Sequence, residues 1–319
     1  MKILLLAVAL GVVGSLSGQP FLPSSHPRTS KSTDTITAHV IANIWWGIGC
    51  ASDFERACDV AAQWADRDPI AAFIYAECLT DRRRCPCQYR RADSLRTAAI
   101  DALRRRADSG DSYALVALAE CYRRSLGGMA PSEDSASALI ARAAALGNPL
   151  AAFMLATETS DSSVQRLLSR AVEGQVVAAM VARARRLLAD TMTTTEAIAL
   201  LCRADSLGSP DAALLLGGCY DSGFGVERNP TLALQHIAVA ADRGSIPAML
   251  ELGIRSLWGA GIPADTIGGL NWLLTALARS IPATRSAIVA LLVGVRDSLP
   301  AVMRWIDRAV HRFAIRYDH

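Results

Sequence analysis

The chain has 319 residues, of which 51% are hydrophobic, 20% are charged and only 6% are aromatic, and its formal net charge is +3. A chain of this apolar content can bury enough surface to offset its conformational entropy, so intrinsic disorder is excluded. The apolar residues are mostly Ala and Leu, without the alternating Val, Thr and Tyr of strands, which favours packed helices over a sheet. The near-neutral charge argues against a general nucleic-acid-binding protein.

The first segment, residues 1–18, has the pattern of a secretory signal peptide. Lys2 precedes an apolar stretch from Ile3 to Val13, and small residues follow it. This stretch is shorter than the roughly 20 residues of a membrane span, and a buried N-terminal helix is the alternative. Residues 19–34 are rich in Pro, Ser and Thr, which predicts a flexible leader. The mature protein is therefore expected to be secreted or periplasmic, without an integral membrane span.

A repeat of about 36 residues fills most of the remaining chain. Gly208 and Gly244 each open a segment with Ala four residues later, Gly nine residues later and a G-x-G motif farther on. The same frame predicts seven units within residues 31–279, starting at residues 31, 67, 110, 147, 174, 208 and 244. The small residues that define the repeat are Ala71, Ala114, Ala151, Ala178, Ala212, Ala248, Gly217, Gly223, Gly225, Gly253, Gly259 and Gly261.

Each unit is predicted to be two helices joined by a turn in which Gly adopts a positive φ. Second helices are expected to begin at caps such as Ser52, Thr193 and Asn229. One hairpin cannot bury its apolar face alone, so the units must stack. Residues 280–319 predict a terminal helix pair, with an unrelated helical domain as the alternative. The predicted fold class is all-α, an α-solenoid (α/α superhelix) of about seven helix-hairpin repeats with a C-terminal capping helix pair.

The sixth unit closely resembles the Sel1-like repeat, a relative of the tetratricopeptide repeat. The matching residues are Gly208, Ala212, Leu216, Gly217, Tyr220, Gly223, Gly225, Val226, Ala233, Ala240 and Ala241. The resemblance is strong in units six and seven, fair in units one, three and four, and weak in units two and five. It implies an array of hairpins that binds proteins or peptides and needs no cofactor, although membership does not fix a partner. Some cysteine-rich secreted members look like possible penicillin binders, which leaves β-lactam binding or hydrolysis as an alternative.

The first helices are expected to line the concave side of the solenoid, as in related arrays. Their exposed positions, predicted from helical phase as 7, 10, 11 and 14 of each unit, would then bind the partner. The candidate residues are Glu77, Glu120, Arg124, Arg185, Glu251, Arg255 and Trp258. A self-associating structural component of the cell envelope is a further alternative, favoured by two tryptophans, Trp45 and Trp46, that are expected to be exposed.

Eight cysteines follow the predicted signal peptide, which indicates disulfides but allows 105 pairings. Cys58 and Cys78 lie at similar distances on either side of a turn near Arg67 and are the best predicted bridge. Cys202 and Cys219 lie at unequal distances from their turn, so that pair is not expected. The disulfide candidates are Cys58, Cys78, Cys50, Cys85 and Cys87. Free buried thiols are one alternative; a zinc site at C-x-C is the other, but that motif alone is a weak signal and no metal is predicted.

Catalytic motifs such as G-x-S-x-G, S-x-x-K and H-E-x-x-H are missing from the sequence, so no catalytic residue and no enzymatic activity are predicted.

Basic residues cluster between residues 81 and 124, a segment that contains eleven Arg and six acidic residues. A solvated helical face is the simpler interpretation. A patch for an acidic protein, an anionic polymer or a lipid surface is the functional one. Nucleic acid is disfavoured because aromatic residues that could stack on bases are scarce.

Overall fold

The computed structural model describes residues 38–80, 88–160, 162–189, 191–280 and 282–298. This part of the chain folds into fifteen α-helices and two single-turn 3₁₀ helices, Leu126–Gly128 and Thr191–Thr193. In chain order the α-helices are α1 (Ala38–Trp46), α2 (Phe54–Trp64), α3 (Pro69–Thr80), α4 (Tyr89–Asp108), α5 (Ser112–Arg124), α6 (Glu133–Ala145), α7 (Pro149–Glu158), α8 (Val164–Glu173), α9 (Val177–Leu187), α10 (Thr194–Ser206), α11 (Pro210–Ser222), α12 (Pro230–Asp242), α13 (Ile246–Trp258), α14 (Thr266–Arg279) and α15 (Pro282–Ser298).

These helices form a linear stack of seven hairpins, from α1/α2 to α13/α14. Each helix packs against the next one along the chain, and α15 packs on α14 as the start of the predicted terminal pair. The short connections make neighbouring helices antiparallel. The prediction of an all-α solenoid of about seven helix-hairpin repeats is therefore confirmed. The predicted signal peptide, the leader and the last helix of the terminal pair lie outside the described residues.

Short polar side chains start most of the helices by accepting hydrogen bonds from otherwise unpaired backbone N–H groups. These caps are Asp53, Asp68, Asp111, Ser132, Asn148, Ser209, Asn229, Ser245 and Asp265. The Asn229 cap is as predicted. At α2 the cap is Asp53 rather than the predicted Ser52. Thr193 makes no side-chain cap to α10, and its hydroxyl donates to the Leu187 carbonyl instead.

The fifth unit begins one residue later than predicted. The opening residues Gly110, Gly147, Gly208 and Gly244 all have φ between +91° and +98°. In the fifth unit the positive φ, +61°, belongs to Gln175 and not to Gly174. Ala178, predicted as one of the small residues that define the repeat, therefore lies one position out of register and is exposed. In the shifted frame Ala179 and Ala184 fill the two small-residue positions, and both are fully buried.

The core is built from the predicted small residues. Ala71, Ala114, Ala151, Ala212 and Ala248 have no exposed surface. Gly217 and Gly253 lie directly against the second helix of their own unit, where a Cβ atom would come within 2.7 Å of the Ile237 and Leu273 side chains respectively. These residues let paired helices approach closely, and the resulting layers of buried Ala, Leu and Ile continue along the stack.

Candidate protein-interaction surface

One face of the first helices carries the candidate surface. Each unit is numbered here from its opening residue as position 0, and positions 3, 7, 10 and 14 are called the first-helix face. In units five to seven all of these positions are half-buried or exposed. They are Ala178, Ala182, Arg185 and Ala189 in unit five, Asp211, Leu215, Gly218 and Ser222 in unit six, and Pro247, Glu251, Ile254 and Trp258 in unit seven.

The first-helix face is covered near the N-terminus. In unit two, Ile70 and Ile74 are fully buried and Glu77 is 7% exposed. In unit three, Ala117 is fully buried, whereas Tyr113 and Glu120 are half-buried and Arg124 is exposed. Helix α1 packs on α3, which explains the burial in unit two. Units five to seven are therefore the part of the array in which all four positions of the first-helix face are open.

A turn of the first unit reaches the middle of the chain. Residues 47–51 lie in the turn between α1 and α2 and are here called the clasp. They make three backbone hydrogen bonds to units five and six. Gly49 N donates to Gln175 O at 2.8 Å, Val177 N donates to Gly47 O at 3.0 Å, and Ala51 N donates to Leu207 O at 2.7 Å. Ile48 and Val176 pair as an antiparallel bridge between the hydrogen bonds. The clasp thus closes unit one onto the opening turns of units five and six.

The tryptophans of α1 are part of this closure. Trp45 packs 5.2 Å from the Phe54 ring, and Trp46 stacks on Tyr113 at 6.3 Å between ring centroids. The Tyr113 hydroxyl also donates to Asn43 Oδ1 at 2.7 Å. Both tryptophans are half-buried against the core, so the expectation that they are exposed is wrong. The self-association alternative loses the observation that favoured it.

Glu77 belongs to a buried ion-pair cluster rather than to an exposed surface. Arg96, which is 4% exposed, donates to Glu77 Oε1 through Nε at 3.1 Å and Nη2 at 2.7 Å. Arg124 pairs with the other carboxylate oxygen, Oε2. The prediction that Glu77 is exposed is wrong, because helix α4 brings in an arginine that neutralises the carboxylate as it is buried.

Arg255 is also buried, at 8% exposure, so position 11 does not contribute to the exposed face. Its Nη2 lies 2.7 Å from Asp221 Oδ2 in the preceding unit, and its Nε lies 2.7 Å from Glu251 Oε1. The pair with Asp221 ties α13 to α11, and the pair with Glu251 lies within α13. Arg123 and Glu158 make a similar link between α5 and α7. Ion pairs between consecutive first helices are thus a recurring feature of the array.

The other candidates divide into two groups along the array. Glu120 is half-buried, and burial raises its pKa above the ordinary value against the opposing effect of Arg124 and Arg123. Arg185 is exposed in unit five and partly offsets the rise that burial produces in the pKa of Asp211. Trp258, at the end of α13, is 53% exposed. The structure therefore brings Glu77, Glu120 and Arg124 together, and Glu251 and Arg255 together, while Arg185 lies near Asp211.

A sequence model of the Sel1 repeat matches three segments of the chain, residues 112–148, 210–245 and 246–280. The chain therefore contains Sel1 repeats. The three matches begin at the first residues of α5, α11 and α13, so the repeat of the family and the helix hairpin are the same unit here. The comparison with curated proteins gives no match.

Two solved structures share the Sel1-like solenoid fold. One is a protective antigen present in uropathogenic Escherichia coli strains and displaying an SLR fold, with 15% identity over 88% of this chain and a TM-score of 0.56. The chain spans 60% of the length of that antigen. The other is a Sel1 repeat protein from Oxalobacter formigenes, with 18% identity, a TM-score of 0.56, and coverage of 67% of this chain and 89% of that one. At these identities the likeness concerns the fold alone.

The cysteines of this Sel1-like protein follow the predicted best pairing. Cys58 and Cys78 form a disulfide, with 5.8 Å between their Cα atoms, and this bond joins α2 to α3. Cys50 is a free, half-buried thiol, so the second predicted bridge is not formed, and Cys85 and Cys87 lie outside the described residues. Cys202 and Cys219, the pair that was not expected to form a bridge, are both free. Burial raises the pKa of Cys121 to about 12, which makes that thiol a packing residue rather than a nucleophile.

The arginine cluster of units two and three is largely paired. Arg96 and Arg124 share Glu77, and Arg123 bonds Glu133 and Glu158. Arg106 bridges Asp68 and Asp111, Arg104 pairs with Asp101, and Arg91 lies over the Tyr75 ring at 5.5 Å. The simpler interpretation of this region, ordinary helices with their own counter-charges, accounts for these contacts. Arg82 to Arg84 lie outside the described residues.

The described residues contain no group of three or more His, Cys, Asp or Glu side chains placed to hold a metal ion. None of the helices in the described ranges is both long and apolar enough to cross a membrane.

The clasp and its partners Gln175, Val177 and Leu207 were not among the predicted site residues. The only sequence signal for them is the G-x-G at Gly47 and Gly49, which by itself indicates a hairpin turn and no distant contact.

Proposed function

We propose that this Sel1-like protein is an interaction scaffold that binds an extended peptide segment of a partner protein along the first-helix face of units five to seven. Sel1 repeats generally mediate protein–protein interactions, and a non-catalytic scaffold is the usual role of the family. The observation that carries the proposal is the contrast between the buried positions of unit two and the open positions of units five to seven. Only the open part can accept a partner without unpacking the array.

The chemistry of this face favours an extended segment with a large apolar side chain. Ala182, Gly218 and Ser222 give the face a floor of small residues, and nothing lies within 4 Å of the position that a Cβ atom on Gly218 would take. Trp258 supplies an exposed ring at one end, and aromatic residues are enriched among binding hot spots. Arg185 adds a cation for an acidic group of the peptide. The favoured partner is therefore an extended segment with an apolar anchor and an acidic residue.

A peptide selection on the full chain tests this proposal. Peptides from a random display library are selected on the wild-type protein, and the affinity of the best peptide is measured for three variants. Gly218→Phe fills the floor of the face and should weaken binding at least tenfold, as should Trp258→Ala. Gln235→Phe adds the same ring to an exposed position on the second helix of the same unit and should leave the affinity unchanged. Peptides that bind Gly218→Phe as tightly as the wild type would overturn the proposal.

We also propose that the mature protein is extracytoplasmic. The apolar stretch of residues 3–13 and its small-residue flank support this, and the disulfide between Cys58 and Cys78 adds support because such bonds persist in oxidising compartments. The test is the mass of the protein expressed with its full N-terminal sequence. We expect cleavage near residue 18 and a product in the extracytoplasmic fraction. A product that keeps Met1 and stays in the cytoplasm would contradict the proposal.

A further inference from the structure

The clasp occupies a site whose recognition elements are backbone groups. Gln175 O and Leu207 O each accept one hydrogen bond from the clasp, and Val177 N donates one. None of these three contacts depends on a side chain of the clasp, so another backbone of the same shape can make them. Backbone pairing of this kind is how peptides add to exposed edges in many complexes.

One side chain of the clasp adds selectivity. Ile48 packs against both the core of units one to four and the core of units four to six, so it fills a position between the two layers. It also pairs with Val176 across the antiparallel bridge. An aliphatic residue is therefore required between the two hydrogen-bonding glycines.

The backbone shape of the clasp is unusual and specific. Gly47 and Gly49 have φ values of +72° and +75°, a region that L side chains rarely adopt. The residue that receives the clasp is also in this region, because Gln175 has φ +61° at the opening position that Gly occupies in units three, four, six and seven. Strained residues of this kind concentrate at binding and switch sites.

We propose that the edge formed by Gln175, Val177 and Leu207 is a docking site for a glycine–aliphatic–glycine turn. In the free protein the clasp occupies this site in cis. A partner protein that presents the same turn displaces the clasp and releases residues 47–51 from the array, while the disulfide between Cys58 and Cys78 keeps the following helix, α2, attached to α3. This site is separate from the first-helix face of the proposed function, so either can fail without the other.

The first test uses a labelled peptide of residues 38–51 with a solubilising lysine tail and Ser at position 50, added to the full chain. A locked variant, Ile48→Cys with Val176→Cys in a Cys50→Ser background, closes the clasp by a cross-link. Ile48 and Val176 suit a cross-link because they are a non-hydrogen-bonded antiparallel pair, in which the side chains are closest.

A weakened variant, Gly49→Val, strains the clasp. The matched control is Gly261→Val, which puts the same strain into the equivalent turn of unit seven, where φ is +80°.

We expect the peptide to bind Gly49→Val at least tenfold more tightly than it binds the wild type or Gly261→Val, and not to bind the oxidised locked variant. A peptide with L-Ala at positions 47 and 49 should lose binding, whereas D-Ala at both positions should retain it, because D residues favour positive φ. Equal binding to the locked and weakened variants, or equal binding of the L-Ala and D-Ala peptides, would overturn the proposal.

The second test needs no peptide and uses the wild type. A displaceable clasp opens locally, so the amides of Gly49, Ala51 and Val177 should exchange with solvent at least tenfold faster than the core amide of Leu216. The oxidised lock should slow the amides of Gly49 and Val177 by a similar factor. If the three clasp amides of the wild type exchange as slowly as the amide of Leu216, the clasp leaves its site only when the whole protein unfolds. That result would contradict displacement.

Discussion

At the scale of single residues, burial decides what the charged side chains do. Glu77 and Glu120 occupy the same position of consecutive units, yet Glu77 is buried against Arg96 and Glu120 is half-buried. Helix α1 covers unit two, and Arg96 on α4 donates hydrogen bonds to the Glu77 carboxylate, which allows that charge to be buried. A charge inside a protein is tolerated when it is paired and hydrogen-bonded, and Glu77 meets both conditions.

Removing the Glu77 charge should therefore be costly. Glu77→Gln leaves the buried Arg96 guanidinium without its main counter-charge, and we expect a loss of about 3–5 kcal/mol in the free energy of unfolding, measured by urea denaturation. The matched control is Asp101→Asn, which breaks the exposed pair with Arg104 and should cost about 0.5 kcal/mol or less. Similar costs for the two variants would show that the Glu77 cluster is solvated.

Glu120 makes the stability of the protein depend on pH. Its pKa is raised in the folded state, mainly by burial, so its contribution to stability is fully present below the ordinary pKa of a glutamic acid, about 4.3, and is lost as the pH rises through the folded value. Glu120→Gln stays neutral, so at pH 7 it should melt a few degrees higher than the wild type. We expect this difference to shrink below pH 4 in a series of melting curves. A difference that does not change with pH would contradict this assignment.

At the scale of the element, the hairpin depends on glycines that are not equivalent. Gly217 faces α12, where a Cβ atom would lie 2.7 Å from the Ile237 Cγ1 atom and 3.1 Å from the Ala233 carbonyl oxygen. Gly218, the next residue, has open space around it. One turn of α11 thus contains both a glycine that sets the helix spacing and a glycine that does not.

These two neighbours form a matched pair of variants. Gly217→Ala should destabilise the protein by about 1–3 kcal/mol, because overpacking separates the two helices. Gly218→Ala should stabilise it by up to about 1 kcal/mol, because Ala is the better helix former. Thermal unfolding of both variants checks the signs. Two variants of the same sign would mean that helix propensity, and not the packing of α11 on α12, decides the effect.

Local spacing predicted the hairpins because a unit is defined by contacts within about 40 residues. The Ala and Gly residues that pack helix on helix lie at fixed distances from each opening turn. The register failed at Gln175, because a non-glycine residue took the positive φ and Gly174, the more obvious opening residue, did not. The exposure of Glu77 and Arg255 was predicted wrongly because their counter-charges come from other helices, which helical phase within one element does not describe.

At the scale of the whole molecule, the array departs from a simple row of neighbours. In a typical solenoid each repeat contacts only the adjacent ones, and stability is a sum over neighbouring pairs. Here the clasp adds contacts from unit one to units five and six, and the Tyr113 to Asn43 hydrogen bond adds one from unit one to unit three. No local pattern indicates these contacts, because their hydrogen bonds involve backbone groups or residues that are ordinary in helices.

The disulfide should stabilise one end of the array more than the other. Replacing both Cys58 and Cys78 by Ala removes a cross-link that spans 20 residues, and we expect a loss of about 3 kcal/mol in the protection of α2 and α3 amides against hydrogen exchange. Amides of α12 and α14 should change much less, because stabilisation passes mainly between neighbours. Cys202→Ser, at an exposed free thiol, is the control and should change neither region. An equal loss in all helices would mean that the array unfolds as one unit.

The clasp also orders the assembly of the chain in time. Units two to seven can stack as they leave the ribosome, since each needs only the unit before it, and contacts between near neighbours form fast. Gly49 and Ala51 must wait for Gln175 and Leu207, several repeats later in synthesis. Until then Ile48 lacks its packing against the core of units four to six. The N-terminal hairpin is therefore made first, but it cannot reach its final position until the opening turn of unit six has been synthesised.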